Sequence, residues 1–220
     1  MDMNKMKIKT YIFVIIVFSM FACPQTLADS ASAREYQLKA AFLYNFIMFI
    51  DWPEEKMSAD GQPITIGVIG KDPFESAFEP IKDKQAKDRK VIVKRFKGLE
   101  DLKKSGPDAM NKELEEIRKC QLLFICSSEK SALKEIINLV NGYNILTVGD
   151  MQGFLESGGG IINFVMEDDK IRFEINAVAA VQAKLEIRSQ LLRLAKRVIE
   201  DKQSQGGKKE VYEYFAKHDN

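Results

Sequence analysis

Apolar residues recur along this chain with two alternating periods. Between Glu35 and Ile50, Leu38, Ala41, Phe42, Phe46 and Phe49 return at three- and four-residue spacing, the repeat of an α-helix. Leu43, Tyr44 and Ile47 widen the apolar sector nearly all round, so the pattern predicts a helix buried on most faces. Asn45 sits in its middle and, once buried, needs a hydrogen-bond partner, because an unsatisfied amide costs ~1–3 kcal/mol. Trp52-Pro53 ends the helix, since the residue before a proline is pushed out of the helical region.

The period then shortens. ITIGVIG (Ile64 to Gly70) is an apolar, β-branched run that reads as a buried strand. Asp72 as N-cap and Pro73 at the first helical position predict a short helix through Ile81, followed by KDKQAKDRK as a solvated loop. VIVKRF (Val91 to Phe96) reads as the second strand, Leu114 and Ile117 mark a helix, and QLLFIC is the third strand. Ser127 or Ser128 caps a helix containing Leu133, Ile136, Ile137 and Val140, ended by Asn141-Gly142, and ILTVGD (Ile145 to Asp150) is the fourth strand. Two further runs, Ile161 to Met166 and Ile171 to Ile175, are joined by the polar stretch Glu167 to Lys170 and predict an antiparallel hairpin. Ala177 to Ala183 reads as helical, and Ser189 as the cap of a last helix through Val198. The alternation predicts an α/β fold: a single-domain sandwich over residues 35–200, with a mainly parallel sheet, helices on both faces and a C-terminal antiparallel hairpin. Residues 201–220 read as a polar flexible tail.

Composition adds that 45% hydrophobic and 30% charged residues suit one globular core. Lys5, Lys7 and Lys9 precede the apolar run Tyr11 to Ala22, then Pro24 and small residues around Ala28, Ala31 and Ala33, the order of a secretory signal over residues 1–28. That run falls short of the ~20 apolar residues of a spanning helix. Cys23 follows Phe21-Ala22 at a place resembling a lipoprotein site, but Met20 and Phe21 fit that pattern poorly. Removing residues 1–28 leaves 30 basic against 31 acidic residues, so nucleic acid finds no basic surplus. Cys120 and Cys126 bracket a strand whose length holds them roughly 20 Å apart, beyond the ~7 Å reach of a disulfide; they read as buried structural thiols.

Candidate chemistry is sparse. The only histidine, His218, lies in the polar tail, so no Cys/His or Ser/His nucleophile pair forms on the folded part, and no metal-ligand spacing is present. No cofactor is implied. Asp150 and Glu174 form an acid/base pair only if the fold brings them together. In SGGG (Ser157 to Gly160), Gly158 and Gly159 precede a strand, whereas phosphate loops precede a helix, so a tight turn is the simpler reading. The alternation in RFEIN places Arg172, Glu174 and Asn176 on one side of a strand, where Arg172 grips a partner's acidic group or is neutralised by Glu174. Trp52, the only tryptophan, sits at a helix end where half exposure would suit a partner or a flat ligand; capping the core is the commoner role.

KAAFLYNFIMFIDWP, GVIGKDPF, CQLLFICSSE, ILTVGD, GFLESGGGIINFVMEDDKIRFEINAVAA and SQLLRLAKRV run in order from Lys39 to Val198, and with them the chain resembles the YfiR-like family of exported α/β proteins. The resemblance implies a periplasmic regulator, not an enzyme, that holds a membrane-bound diguanylate cyclase inactive through its periplasmic domain; a sensor kinase is the alternative partner. A homodimer and a small aromatic ligand are further implications. The family's redox-responsive members carry cysteine pairs, whereas here Cys120 and Cys126 remain alone after export. The expected contact surface comprises Trp52, Gly158, Gly159, Arg172, Glu174 and Asn176. The alternative function is a periplasmic small-ligand sensor whose pocket takes an aromatic acid between Trp52 and Arg172.

Overall fold

The computed structural model describes residues 25–57, 61–82, 84–156 and 159–200. The expected export segment up to residue 24 with Cys23, the pair Ser157 and Gly158, and the tail 201–220 with His218 lie outside the described residues. The chain divides into two compact units, Met1–Glu35 and Tyr36–Asn220. Residues 25–35 of the first belong to helix α1 (Gln25–Phe49), and everything that follows concerns the second.

After α1 come β1 (Ile50–Asp51), α2 (Glu54–Met57), β2 (Ile64–Ile69), β3 (Gln85–Ala86), β4 (Arg89–Phe96), α3 (Leu99–Lys104), α4 (Pro107–Lys119) and β5 (Leu122–Ile125). Then follow α5 (Leu133–Val140), β6 (Leu146–Gly149), β7 (Ile162–Glu167), β8 (Lys170–Asn176), α6 (Ala177–Gln182), β9 (Glu186–Ile187), α7 (Ser189–Leu194) and β10 (Arg197–Ile199). The main sheet has the order β10-β8-β7-β6-β5-β2-β4-β3. The central strands β4, β2, β5, β6 and β7 pair in parallel. Every residue of β2, β5 and β6 is buried, as strands covered on both faces require. One core holds Leu43, Phe46 and Ile47 of α1 with Ala180 and Leu191; the other holds Leu102, Ile117 and Ile136 of α3, α4 and α5. β7 and β8 form the antiparallel hairpin in the register Phe164 to Phe173, turned by Asp168 and Asp169, both at positive φ. This is the mainly parallel α/β sandwich with helices on both faces and a hairpin near the C-terminal end that the apolar pattern predicts.

Several elements differ from expectation. Helix α1 buries one stripe, Ala40, Leu43, Phe46 and Ile47, while Leu38 is 56% exposed and Met48 37%. Asn45 lies on the exposed side and needs no protein partner. No helix follows Asp72: its carboxylate accepts the Phe74 N–H at 2.8 Å, and turns lead to a short 3₁₀ segment, Glu79–Ile81. Bonding two residues on makes an Asx turn instead of a helix cap. The charged stretch expected as a loop is the hairpin β3–β4, whose turn Lys87-Asp88 has both φ values positive, at 52° and 61°. The edge strand β3 is only Gln85–Ala86, set among Lys84, Lys87, Asp88, Arg89 and Lys90, too short and too polar in its surroundings to give a hydrophobicity signal. The stretch after Cys126 begins as 3₁₀ helix (Ser127–Ala132) without a side-chain cap, because the Ser128 hydroxyl instead accepts the Lys71 N–H at 3.0 Å. The last helix stops at Leu194, and Arg197–Ile199 joins the sheet edge parallel to β8.

Candidate interaction surface

The expected site residues disperse. Ile50 and Asp51 leave α1 as a strand that pairs with Ile187 and Glu186. Strand alternation then turns Ile50 and Trp52 inward and Asp51 outward. Trp52 is consequently 8% exposed and packs in the core, not half exposed, and its indole N–H is buried without a partner among the described residues. Gly159 takes φ +72°, and a Cβ on Gly160 would stand 2.0 Å from the Phe154 ring, so this segment serves a tight turn and a close approach. Arg172, Glu174 and Asn176 do share one side of β8, with Phe173 and Ile175 in the core.

Their roles on that side differ. Arg172 is exposed, its Nε 4.0 Å from Glu167. Glu174 accepts from Arg197 at 2.6 Å and helps fasten β10. Asn176 caps α6, its Oδ1 accepting the Ala179 N–H at 3.0 Å while its Nδ2 donates to the Leu155 carbonyl at 3.3 Å. The residue before AVAAVQ is where an N-cap belongs, so this role was readable in the sequence. Asp150 and Glu174 engage different partners: the Asp150 carboxylate accepts from Lys39 at 2.7 Å and from the Tyr36 hydroxyl at 3.0 Å. Cys120 and Cys126 are buried, and burial pushes both thiols up to about 12.

The chain reverses its strand order between β2 and β5, the place where open α/β sheets form a crevice beyond the carboxyl ends of their strands. Glu129 fills it. This side chain, 8% exposed, accepts the Leu99 N–H at 2.9 Å and the Ser128 hydroxyl at 3.2 Å. A Cβ on Gly70 would meet the Glu129 Cγ at 2.8 Å, and one on Gly98 its Oε1 at 2.5 Å, so both glycines make room for that carboxylate.

Two clusters tie distant segments together. Lys39 and Asp150 form a buried ion pair, 5% and 8% exposed, with the Lys39 ammonium also 4.3 Å from the Tyr36 ring centre. Asp51 takes two hydrogen bonds from Arg188, at 2.8 and 2.9 Å, and one from Lys87 at 2.6 Å. The Arg188 hydrogen bonds chiefly, with those of Lys87, hold the Asp51 carboxyl at about 2 against the opposing effect of burial.

The clasp at Asp51 fastens β9 beside an apolar groove that the sequence reading missed. α6, β9 and α7 enclose a space of about 400 Å³ lined by Ala180, Val181, Leu185, Ile187 and Leu192, with Lys184 and Glu186 at its rim. Of these, Val181 stands 73% exposed. Contiguous exposed apolar surface with a charged rim is the mark of a docking site. The readable signal was AVAAVQ itself, a helix apolar on every side yet too short to bury all of them. Among the described residues no group of three or more His, Cys, Asp or Glu could hold a metal ion, and no helix is long and apolar enough to cross a membrane.

Residues 36–196 match the pattern of the YfiR/HmsC-like family. Among curated proteins none matches. A conserved domain protein from Vibrio cholerae O1 biovar El Tor is similar at 16% identity and a TM-score of 0.43, over 66% of this chain and 57% of that one. The ABC domain in complex with L-Trp from Streptococcus pneumonia is similar at 12% identity and a TM-score of 0.44, over 62% of this chain and 55% of that one. This chain thus spans a little over half the length of each.

Proposed function

Since the chain belongs to the YfiR/HmsC-like family, matching it from residue 36 to 196, we propose that it is an exported regulatory binding protein that holds a membrane-bound signalling protein, a diguanylate cyclase, inactive. Family membership over most of the chain carries this reading, which describes regulation and not catalysis. In this reading residues 1–28 direct export and the folded part works in the periplasm.

The contact surface is the apolar groove between α6, β9 and α7, extended by the exposed guanidinium of Arg172. Val181 supplies area that loses water only when a partner covers it, and Lys184, Glu186 and Arg172 supply charges that set orientation. Trp52, Glu174 and Asn176 act behind that surface: Trp52 under the β1–β9 ribbon, Glu174 on β10 and Asn176 at the cap of α6. The fixed turn at Gly159 holds the start of β7.

Deleting the gene raises cellular cyclic di-GMP in this reading, and re-expressing the unaltered chain restores it. Val181→Asp fails to restore it while the purified variant melts within a few degrees of the parent, because exposed positions change stability by only about 0.5 kcal/mol. Unchanged cyclic di-GMP in the deletion strain removes the cyclase reading. Full restoration by that variant moves the contact away from the groove.

A further inference from the structure

At the amino-terminal ends of β2, β5 and β6, opposite the crevice filled by Glu129, lies a second cavity, of about 630 Å³, lined by residues of α2, β2, β4 and α4 and by the segment before β6. Four cations line it, Lys56, Lys94, Arg118 and Lys119, against Glu55. Glu116 neutralises one charge more, pairing with Lys94 at 2.8 Å and with Lys119. Among the described residues two positive charges therefore remain in surplus, in a space of the size that holds small molecules. The groups are held in place. The Arg118 guanidinium lies 4.5 Å from the Tyr143 ring centre and donates to the Leu139 carbonyl at 3.2 Å, and the Lys56 ammonium donates to the Arg118 carbonyl at 2.7 Å.

Lys56 stands apart from a solvated lysine. Burial lowers its pKa to about 8, and among the described residues its ammonium donates to a carbonyl, that of Arg118, and not to a carboxylate. A half-buried ammonium without a carboxylate partner is relieved by an incoming anion. Gln121, 8% exposed, uses its amide oxygen to accept the Thr65 N–H at 2.8 Å, and among the described residues its NH₂ donates to no protein group. A cationic wall with a spare amide donor is complementary to oxygen-rich anions.

We propose that this cavity is a binding site for a small multivalent anion carrying phosphate or carboxylate groups. The site lies apart from the apolar groove, so occupancy and partner docking can be tested separately. Competitive acetylation of the full chain, read by mass spectrometry, reports on it directly, because its lowered pKa gives Lys56 a larger neutral fraction than a solvated lysine at the same pH. With millimolar pyrophosphate or citrate, Lys56 is expected to acetylate about tenfold more slowly while the exposed Lys134 is unaffected, the factor expected of a ligand at roughly ten times its dissociation constant. Protection by pyrophosphate alone assigns phosphate chemistry, and protection by citrate alone assigns carboxylate chemistry. Lys94→Gln with Lys119→Gln alters exposed side chains only and is expected to abolish the protection; Lys119→Gln alone, which leaves Lys94 paired to Glu116, weakens it. Unchanged labelling of Lys56 in both anions overturns the proposal, as does equal slowing at Lys134, which would mark an ionic-strength effect.

Discussion

Asp51 receives two cations that the chain brings from opposite directions, Lys87 from the β3–β4 turn and Arg188 from the segment after β9. Its folded pKa of about 2 lies below the ordinary 3.8. A carboxyl depressed by folding contributes stability that is fully present above its unfolded value and is lost as pH falls through the folded one. Asp51→Asn is therefore expected to destabilise the protein by about 0.5–1 kcal/mol at pH 7, a modest figure because solvent screens a partly exposed pair. Urea unfolding at stepped pH should show the gap between parent and variant closing between about pH 4 and pH 2; a gap that stays constant to pH 2 would deny the ion pair its role. None of the three residues advertises this clasp. In sequence Asp51 is a polar neighbour of Trp52, and only the pairing of β1 with β9 carries Arg188 to it. Trp52 went the same way: its exposure depended on whether a helix or a strand precedes it, which its neighbours leave open.

Helix α1 was legible as a helix but not in its orientation. Phe, Leu and Ile on most of its circumference allow several stripes, and the sheet selects the one in which Phe46 meets Phe164 at 5.6 Å and Phe173 at 5.1 Å between ring centres. Phe46→Ala should remove about 3–5 kcal/mol by cavity formation, whereas Leu38→Ala on the exposed side should stay within about 0.5 kcal/mol. Denaturant titration of the two variants separates them, and equal losses would mean that the helix buries a different face. The hairpin β7–β8 was readable because both of its strands alternate and the joint is polar. The hairpin β3–β4 was not, because β3 is only Gln85–Ala86, its partners on β4 are Lys90 and Arg89, and two residues carry no readable period. β10 resembled the end of a helix for a related reason: three residues carry too little period to tell a strand from a helix, and pairing with Glu174 to Asn176 decides.

Across the whole molecule, the buried pair of Lys39 and Asp150 joins α1 to the carboxyl end of β6, 111 residues away. Asp150→Ala leaves a buried ammonium without its carboxylate and is expected to destabilise by about 3–5 kcal/mol, while Lys39→Met with Asp150→Leu, which removes both charges, should recover at least about 2 kcal/mol of that loss. Thermal and urea unfolding of the two variants test this; a double variant no better than the single one would show that the pair is not an isolated unit. The alternation of buried strands with helices, the hairpin near the end and the family pattern were all legible along the chain, because periodicity and local motifs depend on residues a few positions apart. Which face of α1 packs, how Glu129 fills the strand-switch crevice, where Val181, Leu185 and Ile187 line a groove, and how four cations gather at one cavity were decided by tertiary structure alone. Those features arise from contacts between segments tens of residues apart, and a one-dimensional pattern carries no information about such distances until the sheet order and register are set.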